Sequence, residues 1–394
     1  MLKGKTVVLG VTGSIAAYKI ANLARMLVKQ HCEVHVLMTQ NATNFINPIT
    51  FETLTKHKCL IDTFDRNFEF SVEHVALAKA ADMVMIAPAS ANVIGKIANG
   101  IADDMLTTTV MACPCKKIVS PAMNHNMFHN PIVQDNIEKL KHYGYEIVEP
   151  AHGMLANGDM GDGRMPDEEL LFEYIVKEIA FEKDMTGKKV LVTAGATVEA
   201  IDPVRFITNH SSGKMGFALA KNAMLRGADV TLVMGKCDSE PPVFVNTVKV
   251  QSAKDMYDAV IERADSMDII VKAAAVADYR PKSVSSEKVK KQDGDMSIEL
   301  ERTDDILKTL GERKNGQFIC GFSMETENML ENSRKKLEKK NCDMIVANNL
   351  KQDGAGFGGN TNIVTLITKD DEVQLEKMTK DEVAEKIFDF ILSR

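Results

Sequence analysis

The 394-residue sequence contains no tryptophan, and aromatic residues make up only 6% of it. Proteins that bind single-stranded nucleic acid stack the bases on aromatic rings, so no such platform is expected. Basic residues are also in the minority, since 48 Lys and Arg against 55 Asp and Glu give a formal net charge of −7. Because an acidic chain does not attract nucleic acid over a broad surface, we expect no nucleic-acid partner.

Cysteine is sparse as well, with seven residues scattered along the chain and no CxxC pair. A low, odd count argues against a disulfide framework, and Cys113-Pro114-Cys115 lacks the second ligand pair that a zinc site needs. Apolar runs stay below the roughly 18 residues of a membrane-spanning helix, and the N-terminal segment lacks a complete signal-peptide core. We therefore expect a reducing, cytoplasmic location and no membrane partner.

Short apolar runs alternate with amphipathic helical patterns through the first half of the chain. This alternation predicts a parallel sheet covered by helices on both faces. The first helix follows a glycine turn, and Ser14 is expected to cap it. Its apolar face is formed by Ala16, Ile20, Leu23, Ala24 and Leu27. The predicted strands are Thr6–Gly10, Glu33–Met38, Asp82–Ala87, Lys116–Ser120 and Tyr145–Val148, with a helix over Pro131–Tyr143.

The same pattern starts again near residue 190, with a strand at Lys189–Thr193, a glycine-containing loop and a helix at Met215–Arg226. The restart predicts two Rossmann-like α/β domains. The charged segment Phe181–Lys188 is the expected boundary, which gives domains at 1–184 and 185–394. Later predictions are strands at Asp229–Met234, Asp268–Ala274, Phe318–Phe322 and Met344–Ala347, a hairpin of Asn362–Thr368 and Glu372–Lys377, and a closing helix at Lys380–Leu392.

Glycine and short polar residues follow the first predicted strand, where open α/β sheets bind ligands. The segment Gly10-Val11-Thr12-Gly13-Ser14 precedes a helix, so its N–H groups can face a phosphate. Neither GxGxxG nor a Walker A pattern is present, which favours a mononucleotide phosphate over NAD. A glycine turn that serves only packing is the alternative.

Three further polar residues stand at comparable positions. Ser90 follows the third predicted strand and suits either a cofactor hydrogen bond or an ordinary helix cap. Asn124 follows the fourth strand and can orient a carboxylate or an amide, or form a turn. His74 stands alone before a predicted helix at Val75–Ala81, where catalysis and a satisfied cap or core histidine are both open.

Together, motifs in the first half resemble the FMN-dependent cysteine decarboxylase family. They are Gly13–Lys19 (GSIAAYK), His74, Pro121–Asn124 (PAMN) and Gly158–Pro166 (GDMGDGRMP). The resemblance implies a flavodoxin-like domain that binds FMN and acts on 4'-phospho-N-pantothenoyl-L-cysteine. In that chemistry FMN oxidises the cysteinyl thiol so that carbon dioxide can leave, and the reduced flavin then returns the electrons.

The resemblance also implies roles for single residues. His74 is the implied acid/base, and Asn124 the implied ligand of the substrate carboxylate. Arg164 would help to close a flap formed by Ala151–Pro166, a stretch rich in glycine and polar residues. The implied FMN contacts are Gly13, Ser14, Thr39 and Ser90.

The second half resembles the phosphopantothenate–cysteine ligases. The resemblance rests on Ile201–Gly216 (IDPVRFITNHSSGKMG), Ala273–Pro281 (AAAVADYRP) and the lysine run Lys288–Lys291. It implies that CTP activates 4'-phosphopantothenate as an acyl-cytidylate with loss of pyrophosphate, and that the amine of L-cysteine then attacks. Mg²⁺ (or Mn²⁺) and cationic side chains would serve the phosphates.

Within this half, Asn209 is implied to contact the acyl intermediate and Lys288 to assist activation. Without the family context, a lysine run is more often a solvated face. Asp278 is implied to bind the metal or the cytidine ribose. The expected substrate and CTP contacts of the whole chain are Arg164, Gly195, Arg205, Ser212, Asp278, Lys288, Phe322, Lys336 and Lys340.

The two resemblances cover essentially the whole chain and match successive steps of coenzyme A biosynthesis. They imply a bifunctional homo-oligomer, with trimers or dodecamers through the flavin domain, active sites between subunits, and dimers through the ligase domain. A flavin-binding regulatory or electron-carrier module would share the strand pattern but has no need for both His74 and Asn124. An NAD dehydrogenase is disfavoured because GxGxxG is absent from both first strand–helix turns.

The flap sequence departs from the decarboxylase pattern. Family members commonly carry a cysteine where this chain has Asn157, and that thiol donates a proton when the enethiol is reduced. An amide is no comparable donor near neutral pH, so either Asp159 or His152 substitutes or the reductive step is impaired. The alternative function is therefore an active ligase beside a flavin domain that stops after oxidation.

Overall fold

The computed structural model describes residues 1–63, 73–155, 158–290, 296–325, 328–349 and 359–394. These residues form two compact units, Met1–Phe181 and Glu182–Arg394, called unit 1 and unit 2 below. Each unit contains a largely parallel sheet whose strands alternate with helices, which confirms the predicted α/β class. Among the described helices, none combines the length and the apolar character that crossing a bilayer requires.

The strands described in unit 1 are β1 Thr6–Val11, β2 Glu33–Met38, β3 Met83–Ala89, β4 Lys116–Pro121, β5 Glu146–Ile147, β6 Ala151–Met154 and β7 Met160–Arg164. The first five form one parallel sheet in the order β2-β1-β3-β4-β5. All seven residues of β3 are buried, as expected for a central strand covered on both faces. The strand order reverses between β1 and β3, and ligands of such sheets bind beyond the strand ends at this point.

β6 and β7 form a separate antiparallel hairpin, called the β6–β7 hairpin below. It occupies most of the segment that the sequence predicts as a flap. The helices described in unit 1 are α1 Ala17–Lys29, α2 Pro48–Thr55, α3 Glu73–Ala80, α4 Ala91–Ala98, α5 Met105–Ala112, α6 His125–Phe128, α7 Pro131–His142 and α8 Glu168–Ile179.

The start of α1 corrects two sequence predictions. Ser14 does not cap this helix, because the helix begins only at Ala17 and the residue at its N-cap is Ala16. The Ser14 hydroxyl instead accepts a long hydrogen bond of 3.4 Å from the Ala16 N–H. Ala17 is buried in place of Ala16, while the remainder of the predicted apolar face, from Ile20 to Leu27, is confirmed.

The strands described in unit 2 are β8 Lys189–Ala194, β9 Val198–Ala200, β10 Phe206–Thr208, β11 Asp229–Met234, β12 Asn246–Lys249, β13 Ile269–Lys272, β14 Tyr279–Pro281, β15 Leu300–Arg302, β16 Phe318–Glu325, β17 Met344–Asn349, β18 Thr361–Asn362, β19 Val364–Ile367, β20 Glu372–Gln374 and β21 Met378–Thr379. The main sheet has the order β12-β11-β8-β13-β16-β17-β19-β20. It is parallel from β12 to β17, and β19 and β20 add antiparallel strands at one edge.

The helices described in unit 2 are α9 Lys214–Leu225, α10 Ala253–Ala264, α11 Ile306–Glu312, α12 Met329–Lys339 and α13 Lys380–Leu392. The predicted C-terminal hairpin is confirmed as β19 and β20, and α13 begins where predicted because Thr379 and Glu382 form a capping box. Near the start of the unit, the guanidinium of Arg226 is 6% exposed and donates to Asp184 at 2.9 Å and to Asp389 of α13 at 2.8 Å. These bonds tie the segment before β8 to the last helix.

Candidate functional site

Two neighbouring cavities open at the carboxyl ends of β1, β3 and β4 in the unit 1 sheet. The first, called the polar cavity, measures about 460 Å³ and is lined by residues that include Gly13, Ser14, Thr39, Asn41, Ser90, Asn92 and Lys96. The second, called the hairpin cavity, measures about 660 Å³ and is lined by residues that include Ser14, Lys19, Asn124, Leu155 and Arg164. Because Ser14, Ala122 and Met123 line both cavities, a molecule in one adjoins a molecule in the other.

The turn after β1 is fixed by a buried hydroxyl. Thr12 Oγ1 donates to the Pro88 carbonyl at 2.6 Å and accepts from the Ser90 N–H at 2.9 Å, which joins the ends of β1 and β3. At Gly13 an added Cβ would lie 2.8 Å from the Asn41 Cβ, so only glycine lets the chain pass there. Packing alone therefore accounts for this glycine, and the phosphate hypothesis depends on the neighbouring polar groups.

Two of the three predicted hydroxyl residues of the polar cavity are also helix caps. Ser90 caps α4 by accepting from the Val93 N–H at 3.4 Å, which confirms the cap interpretation. Thr39 caps the short 3₁₀ helix Gln40–Asn44 by accepting from the Ala42 N–H at 3.3 Å. A hydroxyl that accepts in a cap still has its own O–H to donate. Each residue can therefore cap its helix and donate to an anionic oxygen in the cavity.

The polar cavity has the donor chemistry that a flavin mononucleotide needs. Hydroxyls of Ser14, Thr39 and Ser90 line it, and phosphate oxygens accept hydrogen bonds. Lys96 adds an ammonium group, which is paired with Asp103 at 2.7 Å and with Asp104 at 3.4 Å. The residues present therefore fit FMN.

In the hairpin cavity, the NH₂ group of the Asn124 amide is available to a ligand, because the amide oxygen caps a helix. Its Oδ1 caps α6 by accepting from the Asn126 N–H at 2.9 Å. The cap occupies the acceptor, so the NH₂ group supplies the donors, which is the polarity that a carboxylate requires. The two sequence interpretations, turn former and carboxylate ligand, are compatible in this geometry.

Two cations of the hairpin cavity share one carboxylate oxygen. Lys19 Nζ lies 2.8 Å from Asp167 Oδ1, and Arg164 Nη2 lies 3.1 Å from the same atom. The hydrogen bond and charge of Lys19, with a smaller contribution from Arg164, hold the pKa of Asp167 below its usual value. Sequence reasoning predicted Arg164 but missed Lys19, although Lys19 ends the GSIAAYK motif.

Two further residues predicted for unit 1 are not placed in these cavities. His74 is half-buried, and the helix begins before it, at Glu73, so the predicted start at Val75 is wrong. His74 lines neither cavity of the described part of unit 1. Asn157 lies outside the described residues.

Unit 2 also carries two adjoining cavities, at the carboxyl ends of β13 and β16. The lysine cavity, of about 370 Å³, is lined by residues that include Lys272, Asp278, Arg302, Asp305, Phe322, Lys336 and Lys340. The loop cavity, of about 270 Å³, is lined by residues that include Ser212, Lys214, Lys272, Asp278, Phe322, Lys336 and Asn362. The predicted Asp278, Phe322 and Lys336 line both, so the fold brings these three together.

The lysines of the lysine cavity differ in what they contact. Lys336 Nζ donates to the Phe322 carbonyl at 3.0 Å, and Lys340 forms an ion pair with Asp305. Lys272 ends β13, and burial, aided by the nearby Lys336 charge, lowers its pKa to about 8. Sequence reasoning missed Lys272. A lysine inside the apolar run Asp268–Ala274 was the available signal, because a charged group in a buried strand needs a partner or a cavity.

Three of the predicted ligase residues, Arg205, Asn209 and Lys288, are not among the described residues that line these two cavities. Arg205 donates to Asp202 at 2.6 Å and to the Val289 carbonyl at 2.7 Å, which fastens two loops together. Asn209 donates to the Val276 carbonyl at 3.2 Å. Lys288 is exposed.

The predicted nucleotide turn after β8 requires glycine. Gly195 has a φ of +78°, and an added Cβ would lie 2.5 Å from the Lys236 carbonyl. Ser212, in the following loop, is 7% exposed and lines the loop cavity. The turn thus passes tightly against the chain after β11, and Ser212 reaches the cavity.

Known proteins match both units. The family described as Flavoprotein matches residues 1–180, and the family described as DNA/pantothenate metabolism flavoprotein C-terminal domain matches residues 185–394. The coenzyme A biosynthesis bifunctional protein CoaBC of Bacillus subtilis (strain 168) is 48% identical over 373 residues, which is 94% of this chain and 92% of the relative. The protein of the same name from Vibrio cholerae (serotype O1, strain ATCC 39315 / El Tor Inaba N16961) is 43% identical over 393 residues, which is 99% of this chain and 98% of the relative.

Among solved structures, the C-terminal domain of a coenzyme A biosynthesis bifunctional protein CoaBC is 49% identical and covers 52% of this chain and 95% of its own, with a TM-score of 0.46. The sequence matches decide the family, since they run through both units at high identity. The chain therefore belongs to the family of bifunctional coenzyme A biosynthesis proteins, in which a flavoprotein domain precedes a DNA/pantothenate metabolism flavoprotein C-terminal domain.

Proposed function

We propose that the protein catalyses two successive steps of coenzyme A biosynthesis. Residues 185–394 join 4'-phosphopantothenate to L-cysteine at the expense of CTP, and residues 1–184 decarboxylate the product to 4'-phosphopantetheine with FMN. The observation that carries this proposal is the match to bifunctional relatives over 94% and 99% of the chain. The cavities at the strand ends of both units support the proposal, because each unit offers a separate site for one of the two reactions.

In unit 1, Gly13, Ser14, Thr39 and Ser90 hold the FMN in the polar cavity. Bound FMN supplies a two-electron oxidant that makes loss of carbon dioxide from a simple carboxylate feasible. Asn124 binds the substrate carboxylate through its NH₂ group. Arg164 and Lys19 face the same cavity, and they can attract the substrate's phosphate, which is an anion at neutral pH.

His74 acts as the acid/base of the decarboxylation. It lines neither cavity of its own chain, so this role requires that a neighbouring subunit bring it to the substrate. A homo-oligomer of trimers or dodecamers through unit 1, with dimers through unit 2, would meet that requirement.

The chain carries seven free cysteines, which suits the reducing cytoplasm in which we propose that it works.

In unit 2, the lysine cavity binds the triphosphate of CTP. Lys272, Lys336 and Lys340 supply cations, and Asp278 binds Mg²⁺ (or Mn²⁺) or the ribose. Ser212 and Phe322 line the loop cavity, where the acyl group is held, and the Gly195 turn brings the backbone close to the nucleotide. Asn209, Arg205 and Lys288 serve by shaping or closing the loops around these cavities.

A coupled assay tests the proposal. The purified protein is incubated with CTP, 4'-phosphopantothenate and L-cysteine, and pyrophosphate, carbon dioxide and the organic products are measured together. We expect sustained, multiple-turnover pyrophosphate release only when all three substrates are present, and a flavin spectrum in the purified protein. His74→Asn should abolish carbon dioxide release and leave pyrophosphate release intact. Loss of both activities in this variant, or sustained pyrophosphate release without cysteine, would contradict the assignment.

Asn157 motivates a second candidate, in which the flavin unit stops after oxidative decarboxylation. The sequence carries an amide where related decarboxylases commonly carry a thiol, and an amide is a poor proton donor. Mass analysis of the organic product separates the two candidates, because the enethiol is two mass units lighter than 4'-phosphopantetheine. Asn157→Cys should raise the yield of 4'-phosphopantetheine if the reductive step is impaired. Rapid, complete reduction by the unaltered chain would exclude this candidate.

A further inference from the structure

A cluster of imidazoles surrounds one carboxylate beside the hairpin cavity. His125 begins α6 and His129 is its C-cap residue, and one ring nitrogen of each lies within 4.8 Å of the other and of a carboxylate oxygen of Asp162 in β7. His129 Nε2 is 3.0 Å from Asp162 Oδ2. On the other side, His152 Nδ1 of β6 is 2.8 Å from Asp162 Oδ1. Three imidazoles from two elements therefore converge on one aspartate.

The backbone of β7 lies directly against this cluster. The Asp162 N–H donates to His125 Nδ1 at 3.1 Å, so that nitrogen holds a lone pair turned toward β7. At Gly161 an added Cβ would lie 2.8 Å from the same nitrogen. One residue further along, the Gly163 carbonyl accepts from the Met123 N–H at 3.0 Å. The strand is thus docked on the segment that runs from Met123 into α6.

The chemistry of the cluster suits a divalent transition metal. Imidazole nitrogen and carboxylate oxygen form typical zinc sites, with bonds of about 2.0–2.2 Å that place tetrahedral ligands about 3.3 Å apart. The distance of 3.0 Å between His129 Nε2 and Asp162 Oδ2 is close to that spacing. Hard cations such as Mg²⁺ prefer all-oxygen sites and would not select this set.

We propose that His125, His129 and Asp162 form a binding site for a Zn²⁺-class ion that fastens the β6–β7 hairpin to α6, with His152 holding the second carboxylate oxygen of Asp162. The ion takes the place of the proton between His129 and the carboxylate of Asp162. It also breaks the hydrogen bond that His125 Nδ1 accepts from the Asp162 N–H. Asn124 immediately precedes His125, so occupancy holds β7 against the residue proposed to bind the substrate carboxylate. The site does not depend on FMN, CTP or either reaction, so a failed metal test would leave the proposed function standing.

A second histidine cluster supplies the main background in any metal titration. His35 and His57 stack at 4.3 Å, and their Nε2 atoms lie 3.2 Å and 3.8 Å from Glu33 Oε1. This group lies at β2, away from the hairpin, and has three possible ligands among the described residues, as the hairpin cluster has. His57→Ala removes one of its ligands, and the full-length protein with this change is the reference for the experiment.

Zn²⁺ is titrated into the chelator-treated, full-length His57→Ala protein in competition with a chromogenic chelator, and amide hydrogen exchange is followed in parallel. We expect one equivalent of Zn²⁺, with slower exchange at residues 151–155 and 158–164. Adding His129→Ala or Asp162→Asn should remove that equivalent and the protection, whereas adding His142→Ala, at an exposed histidine next to Tyr143, should change neither. Thermal melting without metal verifies that each variant is folded.

Zn²⁺ binding that survives in both His129→Ala and Asp162→Asn would overturn the proposal, as would the absence of binding in the reference protein. Binding that is lost in these variants without any change in hairpin exchange would contradict the fastening role. Mg²⁺ serves as the control ion and should give neither binding at this cluster nor protection.

Discussion

The two units present different chemistry to their ligands. In unit 1 the polar cavity is lined mainly by hydroxyls, amides and tightly passing backbone, and several of these groups also cap helices. In unit 2 the lysine cavity is lined by Lys272, Lys336 and Lys340 together with three aspartates. Directional hydrogen bonds select a ligand whose polar atoms match the positions of the donors, whereas clustered ammonium groups attract any ligand with a high density of negative charge. The first arrangement suits a resident cofactor and the second a co-substrate that must arrive and leave.

This difference has a simple physical consequence. Attraction between a cluster of cations and a polyphosphate weakens as salt screens the charges, while hydrogen bonds between neutral donors and a ligand are much less sensitive to salt. Ligand affinity in unit 2 should therefore fall with ionic strength more steeply than flavin retention in unit 1. The predictions below test this contrast, beginning with the largest expected effect.

Lys336→Met should have the largest effect, because Lys336 lines both cavities of unit 2. We expect pyrophosphate release to fall by about 10²–10³-fold, the range seen when one donor to a developing charge is removed. Flavin content should stay unchanged. The matched control is Lys308→Met, at an exposed lysine of α11 whose Nζ lies 3.6 Å from Glu312. If the two variants release pyrophosphate equally well, Lys336 is not part of the site.

Asn124→Asp tests the hydrogen-bonding site of unit 1. Aspartate caps a helix as well as asparagine does, so α6 should persist, but the donor amide becomes a second negative charge facing the substrate carboxylate. Like charges in contact cost several kcal/mol, and carbon dioxide release should fall by at least about 10²-fold. Asn130→Asp is the control, because Asn130 caps α7 in the same way, accepting from the Ile132 N–H at 3.0 Å. Equal activity of both variants would refute the role of Asn124.

The lowered pKa of Lys272 predicts a pH dependence confined to unit 2. Because its folded pKa is about 8 instead of 10.5, the ammonium is charged below that value and loses its proton as the pH rises through it. CTP binding, measured without cysteine at constant salt, should weaken up to about tenfold from about pH 7 to about pH 9, equivalent to one charged contact of about 1.4 kcal/mol. In Lys272→Met the affinity should be lower at neutral pH and flat over this range. A parallel slope in that variant would assign the effect to another group.

Arg226→Ala should give the smallest effect, which is a loss of stability confined to unit 2. It leaves Asp184 and Asp389 without their shared cation, and since these side chains are 40% and 44% exposed, screening limits the loss to about 1–2 kcal/mol. The unfolding transition of unit 2 should drop by about 2–4 °C, while flavin release keeps its midpoint. Arg313→Ala, in an exposed pair with Asp265, should shift neither transition measurably. A common shift of both transitions would show that the units do not unfold separately.

Most strands were predictable because a parallel sheet buried on both faces demands continuous apolar runs. β2, β11 and α13 occur with the predicted bounds, since each is delimited by charged or cap-forming residues in the sequence. β12 was not predicted, because at the edge of its sheet two of its four residues are exposed and its sequence NTVK carries no apolar run. Edge strands obtain their stability from a neighbour that is distant in the sequence, which local pattern does not encode.

The candidate sites were predictable to a different extent in the two units. Ser14, Thr39, Ser90 and Asn124 reach cavities because they directly follow strands, and the fold fixes where strand ends lie. Asn209 follows β10 and Arg205 immediately precedes it, but their side chains bond to neighbouring loops. The direction of a long side chain depends on contacts between segments far apart in sequence, such as Arg205 with Val289. Lys272 was missed for the same reason, because its position in an apolar run does not show which cavity its side chain lines.

Asp167 gives the hairpin cavity a resident anion. Its single oxygen Oδ1 bonds both Lys19 and Arg164 and offsets one of their two positive charges, so an entering phosphate or carboxylate competes with Asp167 for these two donors. Capture of a ligand is then an exchange of hydrogen-bond partners, in which the ligand replaces Asp167 on one or both cations. The same exchange runs in reverse when the ligand departs, because Asp167 remains within reach to reclaim both partners. A site organised in this way favours turnover over tight retention.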